Sequence, residues 1–196
     1  MDDSMAIAQS ELILGGQKSG TSRRAEVLAL NWLAQSPAHS AVLIATAQPW
    51  DEEMRERIAR HQLDRAERVP NLRVVEEPMQ LAEALGKLSQ PHALVVVDCL
   101  TLWLTNLLMP VLNNEQDKPS ALDARSLIAM LLGAIDRAPG PVVLVGNEIG
   151  LGVIPLGTGT RAFVDALGGL NQAVAQACQR VTFMAAGLPL TLKDRP

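Results

Sequence analysis

A glycine-rich segment with the sequence GGQKSGTS occupies residues 15–22, between an apolar run and a helix-like segment. Gly15, Gly20 and Ser22 fit the phosphate-loop pattern G-x-x-x-x-G-K-S/T, while Thr21 stands where that pattern has lysine. In such a loop, backbone N–H groups and the positive end of the following helix hold phosphate, and the last hydroxyl binds Mg²⁺. The segment therefore predicts a phosphate-binding strand–loop–helix unit, although a glycine-rich turn can also be no more than a tight connection.

Short apolar runs alternate with longer amphipathic segments along the chain. The predicted strands are residues 11–15, 41–45, 72–75, 93–97, 142–145 and 181–185. The predicted helices are residues 20–35, 51–62, 78–88, 101–112, 121–137 and 161–179, and the predicted long loops are residues 113–120 and 146–159. Runs that are apolar throughout are typical of strands buried on both faces. We therefore predict an α/β fold: a single P-loop NTPase-like domain with a mainly parallel sheet flanked by helices on both faces.

The composition is that of an ordinary folded protein of 196 residues, with 48% hydrophobic and 19% charged residues. Its net charge of −4 and pI of about 5.4 argue against a protein that wraps nucleic acid, because such proteins are normally basic. We expect no membrane span and no signal peptide, with residues 1–10 a flexible extension and residues 11–196 the domain. Cys99 and Cys178 lie in apolar segments, which indicates reduced core cysteines and a cytoplasmic location.

Ligands of parallel sheets bind at the carboxyl ends of the strands, so the residues directly after the predicted strands are the candidate site. These are residues 15–22, 46–51, 76–77, 98, 146–148 and 187. Asp98 ends the most apolar strand, where a charged group is unfavourable unless it has a partner or a function. It is predicted either to bind Mg²⁺ or to cap the following helix. Glu148 is similarly open to two interpretations, as a metal ligand or hydroxyl-orienting group and as a turn cap.

His61 lies at the end of the charged segment at residues 51–62, close to Arg57 and Arg60. A solvent-exposed histidine on a surface helix is the simplest interpretation of this residue. The alternative is an imidazole that attacks phosphorus and holds a phosphoryl or nucleotidyl group, while the arginines stabilise the anionic transition state. The residues by themselves leave both interpretations open.

Several blocks of sequence occur together and in a fixed order. They are residues 14–26 (LGGQKSGTSRRAE), 44–48 (IATAQ), 51–61 (DEEMRERIARH), 76–78 (EEP), 98–107 (DCLTLWLTNL), 145–155 (VGNEIGLGVIP) and 161–172 (RAFVDALGGLNQ). From about residue 11 to residue 193, this set resembles the bifunctional adenosylcobinamide kinase/adenosylcobinamide-phosphate guanylyltransferase family of cobalamin biosynthesis. The set is far more specific than a phosphate loop on its own.

The resemblance implies two reactions. A nucleoside triphosphate first phosphorylates adenosylcobinamide, and GTP then donates GMP to the new phosphate through a guanylylated histidine, whose place His61 occupies. The resemblance also implies a homo-oligomer, a trimer. The expected substrates are ATP and GTP with Mg²⁺ as cofactor, and the expected ligands of Mg²⁺ are Ser22 and Asp98. The expected catalytic residues are His61 and Asp98. The expected nucleotide-binding residues are Gly15, Gly16, Gln17, Lys18, Ser19, Gly20, Thr21, Ser22, Arg57, Arg60, Glu76 and Asp98.

Thr21 departs from the family, whose loop carries lysine at this place. Loss of one transition-state cation costs about 2.7–4 kcal/mol, by analogy with the loss of one oxyanion-hole donor. Lys18, Arg23 and Arg24 are the neighbours that could supply the missing charge. The alternatives are an enzyme of both reactions, a guanylyltransferase only, a non-catalytic nucleotide-binding protein, and an ordinary enzyme with a chance or engineered substitution.

Overall fold

The computed structural model describes residues 6–109, 121–153 and 155–195 of the chain. Its strands are β1 (Ser10–Gly15), β2 (Ser40–Ala45), β3 (Leu72–Glu76), β4 (Ala93–Asp98), β5 (Val142–Asn147), β6 (Arg180–Ala185) and β7 (Leu188–Asp194). Its helices are α1 (Thr21–Gln35), α2 (Glu52–Arg68), α3 (Leu81–Leu88), α4 (Leu100–Leu108), α5 (Ala121–Asp136) and α6 (Thr158–Ala177). Each of the first five strands is followed by at least one helix.

The strands of the described residues form one sheet of seven in the order β3-β2-β4-β5-β1-β6-β7. Neighbouring strands are parallel throughout, except that β7 runs antiparallel to β6. This arrangement confirms the predicted α/β fold with a mainly parallel sheet. The order places β5 between β1, which leads into the glycine-rich loop, and β4, which ends at Asp98. The loop and Asp98 therefore lie at the same edge of the sheet, with one strand between them.

Both faces of the sheet are covered, as the unbroken apolar runs predict. Successive strand residues point to opposite faces, so Leu12 and Leu14 of β1 belong to one buried cluster and Ile13 belongs to another. The first cluster includes Trp103 of α4 and residues of α3, α5 and α6, and the second includes Leu28 of α1. The sheet is thus the middle of three layers.

The predicted end of α2 at residue 62 is wrong, because the helix continues to Arg68. Residues 63–68 lack the apolar spacing from which a helix is recognised in sequence. Contacts with α1 hold this part instead: the Glu26 carboxylate lies 3.9 Å from Arg65 Nε and 3.2 Å from Arg68 Nη1. Among the residues of α2, all of which are described, only Arg65 is buried.

The prediction that residues 181–185 form the last strand is also wrong. The chain turns at Ala186 and Gly187, which have φ values of 52° and 80°, and β7 then pairs with β6. In β7, leucines alternate with Pro189 and polar residues, unlike the continuous apolar runs of β2, β4 and β5. A proline argues against a strand unless the strand lies at an edge of the sheet, which is where β7 lies.

The predicted start of helix α3 at residue 78 is wrong, because α3 begins at Leu81. The Glu77 carboxylate accepts hydrogen bonds from the backbone N–H groups of Met79 and Gln80, at 3.0 and 2.8 Å. These bonds form a separate turn ahead of the helix, so the proline of this segment lies in the turn.

The helix predicted at residues 101–112 ends at Leu108, so its predicted end is wrong. The loop predicted at residues 113–120 and the start of the extension at residues 1–10 fall outside the described residues. The described end of that extension contacts the domain, because Arg180 Nη1 donates a hydrogen bond to the Ala6 carbonyl at 2.5 Å. In the part of the chain that the structure describes, no helix combines the length and the apolar character needed to cross a membrane.

Candidate nucleotide-binding site

The glycine-rich loop between β1 and α1 encloses the buried hydroxyl of Ser19. Gly20, at the N-cap of α1, has a φ of 103°, and Lys18 has a φ of 58°. A Cβ atom at position 15 would lie 2.3 Å from Ser19 Oγ and 2.7 Å from the Met184 carbonyl oxygen, so this position requires glycine. Ser19 Oγ is buried and has no hydrogen-bond partner among the described residues. An unpaired polar group at a helix N-terminus is an arrangement suited to an anion.

Backbone hydrogen bonds fix the loop against the sheet. The Ser19 N–H donates to the Gly16 carbonyl at 3.2 Å, and the Gly187 N–H donates to the Ser19 carbonyl at 2.9 Å. The Glu148 N–H donates to the Gly15 carbonyl at 3.0 Å. The β6–β7 turn and the end of β5 therefore hold the loop from two sides.

Ser22, in the first turn of α1, lies beside Asp98 at the end of β4. Its Oγ donates a hydrogen bond to Asp98 Oδ1 at 3.4 Å. Mg²⁺ prefers oxygen ligands, and it usually takes one or two from protein and the others from water and substrate phosphates. A hydroxyl and a carboxylate beside a phosphate loop therefore fit this ion. Within the described ranges, no group of three or more His, Cys, Asp or Glu could hold a metal ion.

In the free protein, the surroundings of Asp98 disfavour the negatively charged form of its carboxyl group. Burial raises the pKa of Asp98 above its usual range. The Arg65 guanidinium, whose Nη2 lies 3.3 Å from Asp98 Oδ2, acts in the opposite direction, as do the hydrogen bond from Ser22 and the charge of His61. The upward shift prevails, so a further cation at this carboxylate would be stabilising.

Asp98→Asn should therefore raise the Tm of the free protein at neutral pH. A carboxylate whose folded-state pKa is raised destabilises the fold once pH exceeds its unfolded-state pKa. The advantage of the neutral amide should grow as pH rises through the window between those two values, and vanish below it. Calorimetric Tm values from about pH 3 to about pH 8 measure this, with Asp136→Asn at the exposed end of α5 as the control. A parent that is more stable than Asp98→Asn at neutral pH would contradict the argument.

Three basic residues of α2 face the loop and Asp98. Arg57, His61 and Arg65 follow one another at intervals of four residues, so they share one side of the helix. Arg65 contacts Asp98, and the Gln17 side-chain oxygen, when turned toward α2, accepts hydrogen bonds from Arg57 at 2.5 and 3.3 Å. His61 is exposed between them, and it is one of the groups that lower the pKa of Asp98. Helix α2 thus carries an exposed imidazole to the edge of the phosphate loop.

Two other predicted residues lie farther from the loop. Arg60 is exposed and forms no ion pair with any described residue. Glu76 and Asp98 are both in register with Ala45 of β2, one on each side, so β2 separates the two carboxylates. Glu76 Oε1 accepts a hydrogen bond from Gln62 of α2 at 3.4 Å. Glu76 therefore lies at the carboxyl edge of the sheet, as does the loop, but none of its described hydrogen bonds reaches a loop residue.

The three neighbours considered as substitutes for the loop lysine have different surroundings. Lys18 is exposed. Arg23 Nη1 lies 3.5 Å from Glu26 Oε2. Arg24 is buried and donates to Glu11 Oε1 at 3.0 Å, beneath the loop rather than above it. The positive charge beside Asp98, at the carboxyl edge of the sheet, comes instead from Arg65 of α2.

Sequence reasoning missed Arg65 and the anchoring roles of Thr46 and Asn106. The available signal for Arg65 was its position four residues after His61. The buried Thr46 hydroxyl donates to the Cys99 carbonyl at 2.8 Å and accepts from the Cys99 N–H at 2.9 Å. Asn106 Nδ2 donates to the Thr46 carbonyl at 2.8 Å. These bonds tie the ends of β2 and β4 together, and no local spacing reveals them because the segments are distant in sequence.

The hydrogen bonds of Glu148 favour one of its two interpretations. Its Oε1 accepts a hydrogen bond from the Gly150 N–H at 2.8 Å, and its Oε2 accepts one from Asn171 Nδ2 at 3.4 Å. Both carboxylate oxygens are thus engaged within the protein, which supports the role of a turn cap.

The fold is similar to that of two solved structures. Flagellar accessory protein FlaH of Methanocaldococcus jannaschii matches with a TM-score of 0.54 and 12% identity, over 98% of this chain and 84% of that one. A protein of Pyrococcus horikoshii matches with a TM-score of 0.57 and 9% identity, over 98% of this chain and 90% of that one. At these identities the likeness shows the fold alone.

Sequence comparison gives a more specific result. The family model described as cobinamide kinase / cobinamide phosphate guanyltransferase matches residues 11–192. Bifunctional adenosylcobalamin biosynthesis protein CobP of Pseudomonas aeruginosa is 48% identical over 187 residues, covering 95% of this chain and 98% of that protein. The CobU protein of the same description from Escherichia coli is 33% identical over 189 residues, covering 93% and 98%. The chain therefore belongs to the cobinamide kinase / cobinamide phosphate guanyltransferase family of bifunctional transferases.

Proposed function

We propose that this chain phosphorylates adenosylcobinamide and then transfers GMP from GTP to the product, forming adenosylcobinamide-GDP. The observation that carries the proposal is the convergence of three features at one edge of the sheet. These are the phosphate loop, the Ser22–Asp98 pair and the exposed His61. A site with these parts can bind nucleoside triphosphates for two successive transfers.

In the first reaction, ATP or GTP binds with its phosphates in the loop at residues 15–22. The backbone N–H groups and the buried Ser19 hydroxyl supply hydrogen bonds. Bound Mg²⁺ neutralises phosphate charge, and Ser22 and Asp98 are the residues that would hold it. The adenosylcobinamide hydroxyl attacks the γ-phosphorus and loses its proton to solvent water, and the bond between that phosphorus and the β–γ bridging oxygen breaks. The products are adenosylcobinamide phosphate and the nucleoside diphosphate.

In the second reaction, His61 is the nucleophile. A neutral ring nitrogen attacks the α-phosphorus of GTP, and the bond to the β-phosphate breaks, which releases pyrophosphate. An oxygen of adenosylcobinamide phosphate then attacks the same phosphorus, the P–N bond breaks, and the imidazole is restored. Arg57, on the same side of α2, would stabilise the negative charge of the transition states of these two steps, and its contact with Gln17 of the loop supports this role. The exposure of His61 suits a nucleophile that meets two substrates in turn.

Thr21 favours one narrower candidate, a guanylyltransferase without kinase activity. The neutral Thr21 supplies no cation beside the bridging oxygen of the transferred phosphoryl group. Backbone contacts should still hold the nucleotide, so the loss should be larger in turnover than in ground-state binding. The kinase step therefore depends on whether another group supplies the charge.

We also propose that the protein is a cytoplasmic homo-oligomer, a trimer by resemblance to its family. The leucines of the edge strand β7 support an interface between copies. Leu188, Leu190 and Leu192 are 71%, 59% and 58% exposed, and such a row of apolar side chains on an edge strand favours association.

Incubation with Mg²⁺, adenosylcobinamide and either ATP or α-labelled GTP tests the proposed function. Mass spectrometry should detect adenosylcobinamide phosphate with either nucleotide and adenosylcobinamide-GDP with GTP. The denatured protein should retain covalent label from α-labelled GTP. Label without phosphorylated corrinoid would favour the guanylyltransferase alone. Absence of both product and label, in a protein that binds GTP, would contradict an enzymatic function.

A further inference from the structure

We infer that Arg65 supplies the phosphate-binding positive charge that the loop lacks at Thr21. The inference rests on the proposed binding of a nucleoside triphosphate in the loop, and it names the cation that contacts the γ-phosphate. In loops of this kind a lysine reaches the β- and γ-phosphates, and this chain has a neutral side chain at that position. Arg65 approaches the same region from α2 instead of from the loop.

Arg65 and Ser22 contact the two oxygens of one carboxylate. Arg65 Nη2 lies 3.3 Å from Asp98 Oδ2, and Ser22 Oγ lies 3.4 Å from Asp98 Oδ1. The hydroxyl at the position of Ser22 faces the bound metal and the phosphates in loops of this kind. The Arg65 guanidinium therefore lies one carboxylate away from the expected position of the terminal phosphate.

The protein leaves part of the Arg65 guanidinium without a partner. The side chain is 8% exposed, and its Nε is buried without a hydrogen bond. The Glu26 carboxylate is 3.9 Å from this nitrogen, which is beyond hydrogen-bond distance. A buried donor without an acceptor is unfavourable, and guanidinium groups bind phosphate through paired hydrogen bonds. The free protein therefore leaves the hydrogen-bonding capacity of the Arg65 guanidinium incompletely used, and a phosphate beside it would supply further acceptor oxygens.

Other cations near the loop are less suited to this role. Lys18 is exposed, where solvent weakens its electrostatic effect. Arg23 and Arg24 pair with carboxylates of α1 and β1, outside the Ser22–Asp98 site. Arg65 combines a fixed position, burial and contact with the site carboxylate, so its charge acts in a region of low effective dielectric constant.

Before nucleotide binds, the contact with Asp98 holds the Arg65 guanidinium in position. Asp98 and Arg65 partly neutralise each other in the free protein. A triphosphate offers the guanidinium more negative charge and more acceptor oxygens than one carboxylate does. The guanidinium is therefore expected to exchange Asp98 for the γ-phosphate, which leaves the Asp98 carboxylate available to a cation.

Titrations of the full chain with GTP and with GDP, each in Mg²⁺, test this role. Arg65→Ala should weaken GTP binding by roughly tenfold to a hundredfold, as expected for lost hydrogen bonds to a charged group. GDP binding should weaken by less than about threefold, because GDP has no γ-phosphate. The ratio of the two affinities is thus the informative quantity, since a purely structural loss would lower both affinities alike.

Arg68→Ala is the matched control. Arg68 Nη1 lies 3.2 Å from the same Glu26 carboxylate that Arg65 approaches, and it makes no ion pair with Asp98 among the described contacts. This variant loses a contact between α2 and α1 without touching the site. Its affinities for GTP and GDP should remain within about twofold of those of the parent.

Thr21→Lys gives a second test that does not depend on the folding of an Arg65 variant. In the parent, the added lysine should raise the rate of adenosylcobinamide phosphorylation by less than about threefold, because Arg65 already supplies the charge. In Arg65→Ala, the same lysine should restore most of the lost rate.

Two results would overturn the inference: an unchanged ratio of GTP to GDP affinity in Arg65→Ala, or a gain of about tenfold or more in phosphorylation rate from Thr21→Lys in the parent. If Arg65→Ala does not fold, the gain from Thr21→Lys in the parent decides by itself. A parent that binds no GTP would instead contradict the proposed function, so the two failures are distinguishable.

Discussion

Alanine in place of His61 should lower covalent labelling by α-labelled GTP by roughly a thousandfold or more, because the nucleophile is removed. Phosphorylation of adenosylcobinamide should continue, since that transfer does not pass through the imidazole. Peptide mass spectrometry of the parent after exposure to GTP should find GMP on the peptide that contains His61. Labelling of the parent should also fall in acid, where the imidazole is protonated and cannot attack.

His92→Ala is the matched control for this experiment. His92 is also exposed, but it directly precedes β4 and so lies at the end of the sheet opposite the loop. Its replacement should leave labelling unchanged. Equal labelling of His61→Ala and the parent would show that another group attacks GTP, and the role assigned to His61 would be wrong.

Removal of either expected Mg²⁺ ligand should lower the rate of adenosylcobinamide phosphorylation by roughly a hundredfold to a thousandfold. Ser22→Ala and Asp98→Ala each delete an oxygen from the pair that lies 3.4 Å apart beside the loop. Calorimetry should show that Mg²⁺ strengthens GTP binding by the parent much more than by either variant. The rate measures transition-state stabilisation, and the Mg²⁺ dependence assigns its cause.

The two variants differ in their effect on α2. Ser22→Ala keeps the contact between Arg65 and Asp98, whereas Asp98→Ala removes it, so an effect shared by both variants belongs to the metal site. Asp136→Ala, at the exposed end of α5, controls for the loss of one negative charge. If GTP binding by both site variants depends on Mg²⁺ as strongly as binding by the parent, neither residue is a ligand of the metal.

The strands that are buried on both faces could be predicted because such burial demands apolar residues at every position. Residues 93–97 form such a run, and the observed β4 adds only Asp98. The edge strand β7 was missed for the opposite reason. It pairs on one side only and is exposed along most of its length, so its sequence is under weaker constraint.

The phosphate loop could be predicted because its requirements are local. Gly15 leaves no room for a side chain, and Gly20 adopts a positive φ that glycine tolerates best. The role of His61 is a different case. Its neighbours in sequence left a surface histidine and a nucleophile both open, and its expected role at the loop follows from the resemblance to a family and from the position of α2.

The sequence by itself determined the alternation of buried strands and helices, the shape of the glycine-rich loop and the acidic end of β4. Each of these depends on neighbours in the chain, and apolar runs, glycines and turn residues record such requirements directly. The tertiary structure alone decided which cation reaches Asp98. Lys18, Arg23 and Arg24 lie within three residues of Thr21 in sequence, yet Arg65 makes the contact, because the packing of α2 against α1 brings distant residues together.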